Sequence, residues 1–87
     1  MSKPNELLEI LEINDFDDLD LLNYVLYTKL TRPELYIILA YAECNCKYSK
    51  TAIKLRSSVD IVSKSVKEIV SHIKKEFKIA KQYYDVP

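Results

Sequence analysis

Apolar residues recur along this chain at helical rather than alternating spacing. Leu7, Leu8, Ile10 and Leu11, with Glu6, Glu9 and Glu12 among them, predict a first helix from Lys3 to Ile13. Asn14 and Asp15 break it. Asp17 then reads as the N-cap of a second helix, with Asp18 and Asp20 in its first turn. Phe16 and Leu21 fit the hydrophobic staple around that cap, and Leu19, Leu22, Val25 and Leu26 form the apolar face.

The entry to the third helix is the sharpest local signal. Thr31 stands at the N-cap and Glu34 at N3, a capping box, with Pro33 in the first turn and Leu30 and Leu35 at the staple positions. Leu35, Ile38, Leu39 and Ala42 continue the pattern to about Cys44–Cys46. A short fourth helix is expected from Ser49 to Arg56, with Ala52 and Leu55 inward. Ser57 and Ser58 break the chain and cap a long fifth helix. Its apolar stripe runs Val59, Val62, Val66, Ile69, Ile73, Phe77 and Ala80, at spacings of 3, 4, 3, 4, 4 and 3. The expected fold class is all-α: about five helices in one domain, with an acidic two-helix segment over 1–29 and a three-helix unit over 30–83.

Composition narrows the chemistry. The chain has 87 residues, 48% of them apolar, which is too apolar for a disordered tail. It contains no glycine, which excludes phosphate-cradling and calcium-binding loops that need a positive φ or a bare backbone. Cys44, Cys46 and His72 are one ligand short of a structural zinc site, and residues two apart on a helix point about 200° apart. The cysteines read as reduced thiols, and His72 as a surface residue beside the stripe. No nucleophile stands with matching acid–base residues, so neither an enzyme nor a cofactor is expected. No apolar run is long enough to span a membrane, and no secretory signal is recognisable. An intracellular location is expected.

Charge is balanced overall, yet segregated. Residues 1–28 hold seven acids and one base; residues 29–87 hold twelve bases and six acids. The segment Lys47–Lys81 has ten bases against Asp60, Glu68 and Glu76. Such asymmetry points to a basic face for a polyanion and an acidic face for something else, or to two halves that attract each other.

A short helix, a break and a longer basic helix follow the order of a helix-turn-helix, whose second helix enters the major groove while the first crosses the phosphates. Candidate DNA-binding residues are Lys47, Tyr48, Lys50, Lys54, Arg56, Ser57, Ser58, Asp60, Ser63, Lys64 and Lys67. The segment from Leu30 to about Lys75 resembles the DNA-binding domains of LuxR-type regulators and the fourth conserved region of sigma factors. The resemblance rests on Leu30, Thr31, Glu34, Ile38, Leu39, Ala52, Leu55, Ser58 and Val62. It implies a double-stranded DNA partner and a role in transcriptional regulation. Arg56 departs from the pattern, standing where a turn glycine is usual, and Ser57 stands where an apolar residue is usual. Both predict a wider turn.

The second half of the stripe, Ile69, Ile73, Phe77 and Ala80, needs cover. The two N-terminal helices supply it, or a second copy does, and a homodimer would suit paired half-sites. The competing expectation is a protein adaptor that docks a larger machine, such as RNA polymerase, through residues 6–20. Small size and the lack of glycine would suit a virus or plasmid.

Overall fold

The computed structural model describes residues 6–84, and five helices make up the fold among them. They are α1 (Glu6–Ile10), α2 (Asp18–Lys29), α3 (Arg32–Glu43), α4 (Tyr48–Leu55) and α5 (Val59–Tyr84). The all-α expectation holds. At about 1.5 Å per residue, the 26 residues of α5 span roughly 39 Å and set the 46 Å long axis of the molecule. α3 and α4 pack on each other and on α5, and α2 packs along α5 as well.

The first helix is shorter than its pattern implies. It ends at Ile10, and the expected start at Lys3 lies outside the described residues. Glu12 turns to φ 61°, the Glu12 N–H donates to the Glu9 carbonyl and the Ile13 N–H to the Leu8 carbonyl. These two bonds form a Schellman closure. The reason lies in the core: Leu11 and Ile13 are both buried. On a continued helix they would face about 200° apart, and only the bend lets both point inward.

The expected cap on α2 is absent. Asp17 keeps a helical backbone and its side chain makes no cap bond. Asp15 does the local work instead, its Oδ1 accepting from the Asp17 N–H at 3.1 Å. Phe16 is 87% exposed, so no staple with Leu21 exists. The entry to α3 matches expectation: the Thr31 N–H donates to Glu34 Oε1 at 2.9 Å, and the Glu34 N–H to Thr31 Oγ1 at 3.4 Å.

Inside α3 the buried face is Ile38, Ala40 and Tyr41, while Leu39 turns outward. Tyr41 stacks on Tyr48, ring centroids 5.4 Å apart, which locks α3 to the start of α4. Burial, with Tyr48 alongside, holds the Tyr41 phenol well above its ordinary range. On α5 the buried row starts at Val62; Val59, expected at its head, is exposed. Ile69, Ile73 and Ala80 join one core with Leu7, Leu11, Ile13, Leu22, Val25 and Leu26. The N-terminal segment therefore covers the second half of the stripe within the chain.

A candidate nucleic-acid interface

The α4–α5 turn is tight, against the expectation of a wider one. Arg56 itself takes the left-handed conformation, φ 54° and ψ 47°, where glycine is usual. Its N–H donates to the Ile53 carbonyl at 3.2 Å and the Ser57 N–H to the Ala52 carbonyl at 2.9 Å. This is again a Schellman closure, and α3 ends the same way around Asn45, with the Cys46 N–H on the Tyr41 carbonyl at 2.9 Å. With no glycine available, the chain closes three helices on Glu12, Asn45 and Arg56, each at a conformational cost of about 1 kcal/mol or more.

Ser58 caps α5 as expected, its Oγ accepting from the Ile61 N–H at 3.1 Å. On α4 the inward row is Tyr48, Thr51, Ala52 and Leu55. Thr51, the buried polar residue of that row, satisfies its hydroxyl on the Lys47 carbonyl at 2.8 Å. The 3- and 4-residue separations among these positions, Tyr48 to Thr51 and Ala52 and Thr51 and Ala52 to Leu55, carried that signal.

The candidate residues divide by exposure. Lys47, Lys50, Lys54, Arg56, Ser57, Ser58, Asp60, Lys64 and Lys67 are exposed. Tyr48 is half-buried in its stack, and Ser63 is half-buried on the flank of α5 rather than on its outer face. Lys54 is engaged by Glu43 at 3.0 Å, a hydrogen bond that holds its ammonium above the ordinary range. Asp60 lies in the first turn of α5, where a carboxylate complements the helix dipole.

Opposite the buried row Val62–Val66–Ile69–Ile73, helical geometry places Lys64, Lys67, Ser71, Lys75 and Lys78, all exposed. The basic row thus runs further than the candidate list, which stopped at Lys67; the 3- and 4-residue spacing was its signal. Two other lysines of α5 turn to the acidic segment: Lys74 lies 4.0 Å from Glu12 Oε1 and Lys81 lies 3.2 Å from Asp18 Oδ2. Part of the charge segregation is therefore resolved inside the fold.

His72 is a tertiary tie, contrary to its reading as a surface residue. Its Nδ1–H donates to Glu34 Oε2 at 3.1 Å, and its Nε2 lies 3.8 Å from Glu76 Oε2. Glu34 thus serves the cap of α3 and the packing of α3 on α5 together. The Thr31 N–H, and after it the His72 bond, hold its carboxyl below the usual range. Burial and the nearby Glu6 push the Cys46 thiol up, away from the reactive thiolate.

Four tyrosines, Tyr24, Tyr27, Tyr36 and Tyr83, are exposed. Ile53 is 79% exposed between Lys50 and Lys54 on the outer face of α4. No helix among the described residues is long and apolar enough to cross a membrane. In comparisons with known proteins, no protein-family model, no curated protein and no solved structure matches the chain.

Proposed function

We propose that this protein binds double-stranded DNA through the α4–α5 helix-turn-helix and acts as a small transcriptional regulator. The observation that carries the reading is the closed turn at Arg56 feeding a capped helix whose outer face is lysine, with no acidic partner on Lys64 or Lys67 among the described residues. Lys47, Lys50 and Arg56 flank the first helix, where phosphates pass. Lys64 lies on the outer face of that helix, the side that would meet the base edges.

A mobility-shift titration against genomic fragments tests this. Five unpaired cations (Lys47, Lys50, Arg56, Lys64 and Lys67) on phosphates would give a slope of log K against log salt of about −4.5. Lys50→Ala should weaken all sequences alike, and Lys64→Ala should cost about 1–3 kcal/mol of preference for the cognate site. Equal effects of both on specific and random duplex contradict the recognition role of α5. The adaptor reading through residues 6–20 gains if neither changes binding while Asp17→Asn and Asp18→Asn abolish function. The stripe that called for a partner helix is covered within the chain, so a homodimer on paired half-sites must use another surface.

A further inference from the structure

At one end of the molecule an aromatic ring stands in solvent. Phe16 is 87% exposed on the turn between α1 and α2. The turn is held by its own bonds: the Asp18 N–H donates to the Asp15 carbonyl at 3.0 Å and the Leu19 N–H to the Phe16 carbonyl at 3.1 Å. The ring is presented on a hydrogen-bonded backbone, so docking it would bury its apolar surface with little further ordering of the chain. Exposed Asp15 and Asp17 flank it.

Toward the other end lies an apolar groove of about 280 Å³ between the first turn of α3, the α4–α5 turn and the first turns of α5. Pro33, Tyr36, Ile37, Leu55 and Ile61 wall it, and Ser57 is too small to fill it. A cavity of about 150 Å³ accepts a benzene ring, so this groove has room for a phenyl group and its backbone. Tyr36 and Ile61 are 63% and 60% exposed. Arg32 adjoins Pro33, and Arg56 lies between Leu55 and Ser57; both are exposed, and neither has an acidic partner among the described residues. Pro33 of the first turn of α3 and Ile61 of the first turn of α5 both line the groove, so the positive dipole end of each helix lies at its rim. Asp60 and Glu68 are the acids that α5 contributes nearby, and they leave the rim less basic than its arginines alone.

The ring cannot reach its own groove. Its turn adjoins Asp18, which pairs with Lys81, whereas the groove lies at Ile61–Ser65. The intervening helix spans roughly 24 Å. We propose that the Asp15–Phe16–Asp17 turn of one copy docks in the Pro33–Tyr36–Ile61 groove of the next, aspartates toward Arg32 and Arg56. The contact is head-to-tail, so it extends beyond two copies, and it sets successive α5 helices in a row. Its small area makes it weak, a contact of high local concentration.

Sedimentation analysis without DNA tests this, from about 10 μM to about 1 mM protein. The average mass should rise past two copies with concentration and fall with added salt. Phe16→Ser and Ile61→Ser each change an exposed side chain, so far-UV circular dichroism should be unchanged. Each should weaken association at least tenfold. An equimolar mixture of the two should form one-to-one dimers and stop, because only one intact knob and one intact groove remain per pair. A wild-type chain monomeric throughout overturns the proposal and leaves Phe16 to a different protein. Association of Phe16→Ser at wild-type strength, or a mixture that stays monomeric, overturns it as well. No DNA is present, so failure here leaves the DNA-binding reading standing.

Discussion

The first half of α5 lies against α3 and α4, through Val62 beside Ile37 and Leu55 and through Val66 beside Tyr41 and Tyr48. Its far half lies against α2, where Tyr24, Ile79, Ala80 and Tyr83 line one shallow cleft and Asp18 pairs with Lys81. Both halves bury the same 3–4 stripe, yet they treat their lysines differently. In the far half Lys74 and Lys81 reach carboxylates of the N-terminal segment, whereas Lys64 and Lys67 in the first half have no acidic partner among the described residues. The acidic segment therefore covers apolar surface and takes up the two far-half lysines on its own side, while Lys75 and Lys78 continue the exposed basic row along the outer face. Exposed ion pairs are worth about 0–1 kcal/mol, so the cover is held by Leu22, Val25 and Leu26 rather than by charge.

The largest test of this division is Ile73→Ala. Ile73 is fully buried where the N-terminal segment meets α5, and its truncation should cost about 3–4 kcal/mol in urea melts. Val62→Ala, on the α3–α4 side, should cost about 2 kcal/mol. If Ile73→Ala costs less than about 1 kcal/mol, the far half is not clamped as described.

The tie between the two regions is Glu34. Thr31→Ala removes one long cap bond and should cost about 1 kcal/mol; Glu34→Ala removes the backbone bond and the His72 contact together and should cost more, about 1–2 kcal/mol. The sign of the pH effect follows from the depressed carboxyl. Its contribution is complete above the ordinary value of 4.5 and is lost as pH falls through the lower folded value. Wild-type melts should therefore lose stability below pH 4.5 more steeply than melts of Glu34→Gln.

A smaller effect, of opposite sign, belongs to the closed turns. Arg56→Gly should stabilise the fold by about 1 kcal/mol, because glycine takes a positive φ without the Cβ clash. Glu12→Gly should do the same for the N-terminal segment. A loss of stability at either site would show that the arginine or glutamate side chain carries more than its backbone costs. The smallest expected change is Lys81→Ala, under about 0.5 kcal/mol in thermal melts and vanishing at high salt, since the pair with Asp18 is exposed on the lysine side.

Of the signals that act within one helical turn, those at the starts of α3 and α5 were legible, while the Asp17 cap and the Phe16–Leu21 staple of α2 did not form. Thr31 and Glu34 make the capping box, Ser58 caps α5, and Val62, Val66, Ile69, Ile73 and Ala80 are buried as the spacing predicts, with Phe77 half-buried among them. These depend on backbone groups three or four residues away, so the chain specifies them before it folds. Arg56 was legible as a departure, but its effect was misread, since sequence shows the missing glycine and not the residue that takes the strain.

What only the tertiary structure decided is which face each helix presents. The spacing of α3 puts Leu39 inward, but the stack on Tyr48, from the next helix, holds Tyr41 inward and leaves Leu39 37% exposed. Glu12 bends because Leu11 and Ile13 share one core, and Phe16 is left in solvent by that same bend. His72 finds Glu34 across 38 residues and Lys81 finds Asp18 across 63. Such pairings are set by the packing of whole helices, whose buried area outweighs any one side chain's local preference, and no window of neighbouring residues contains them.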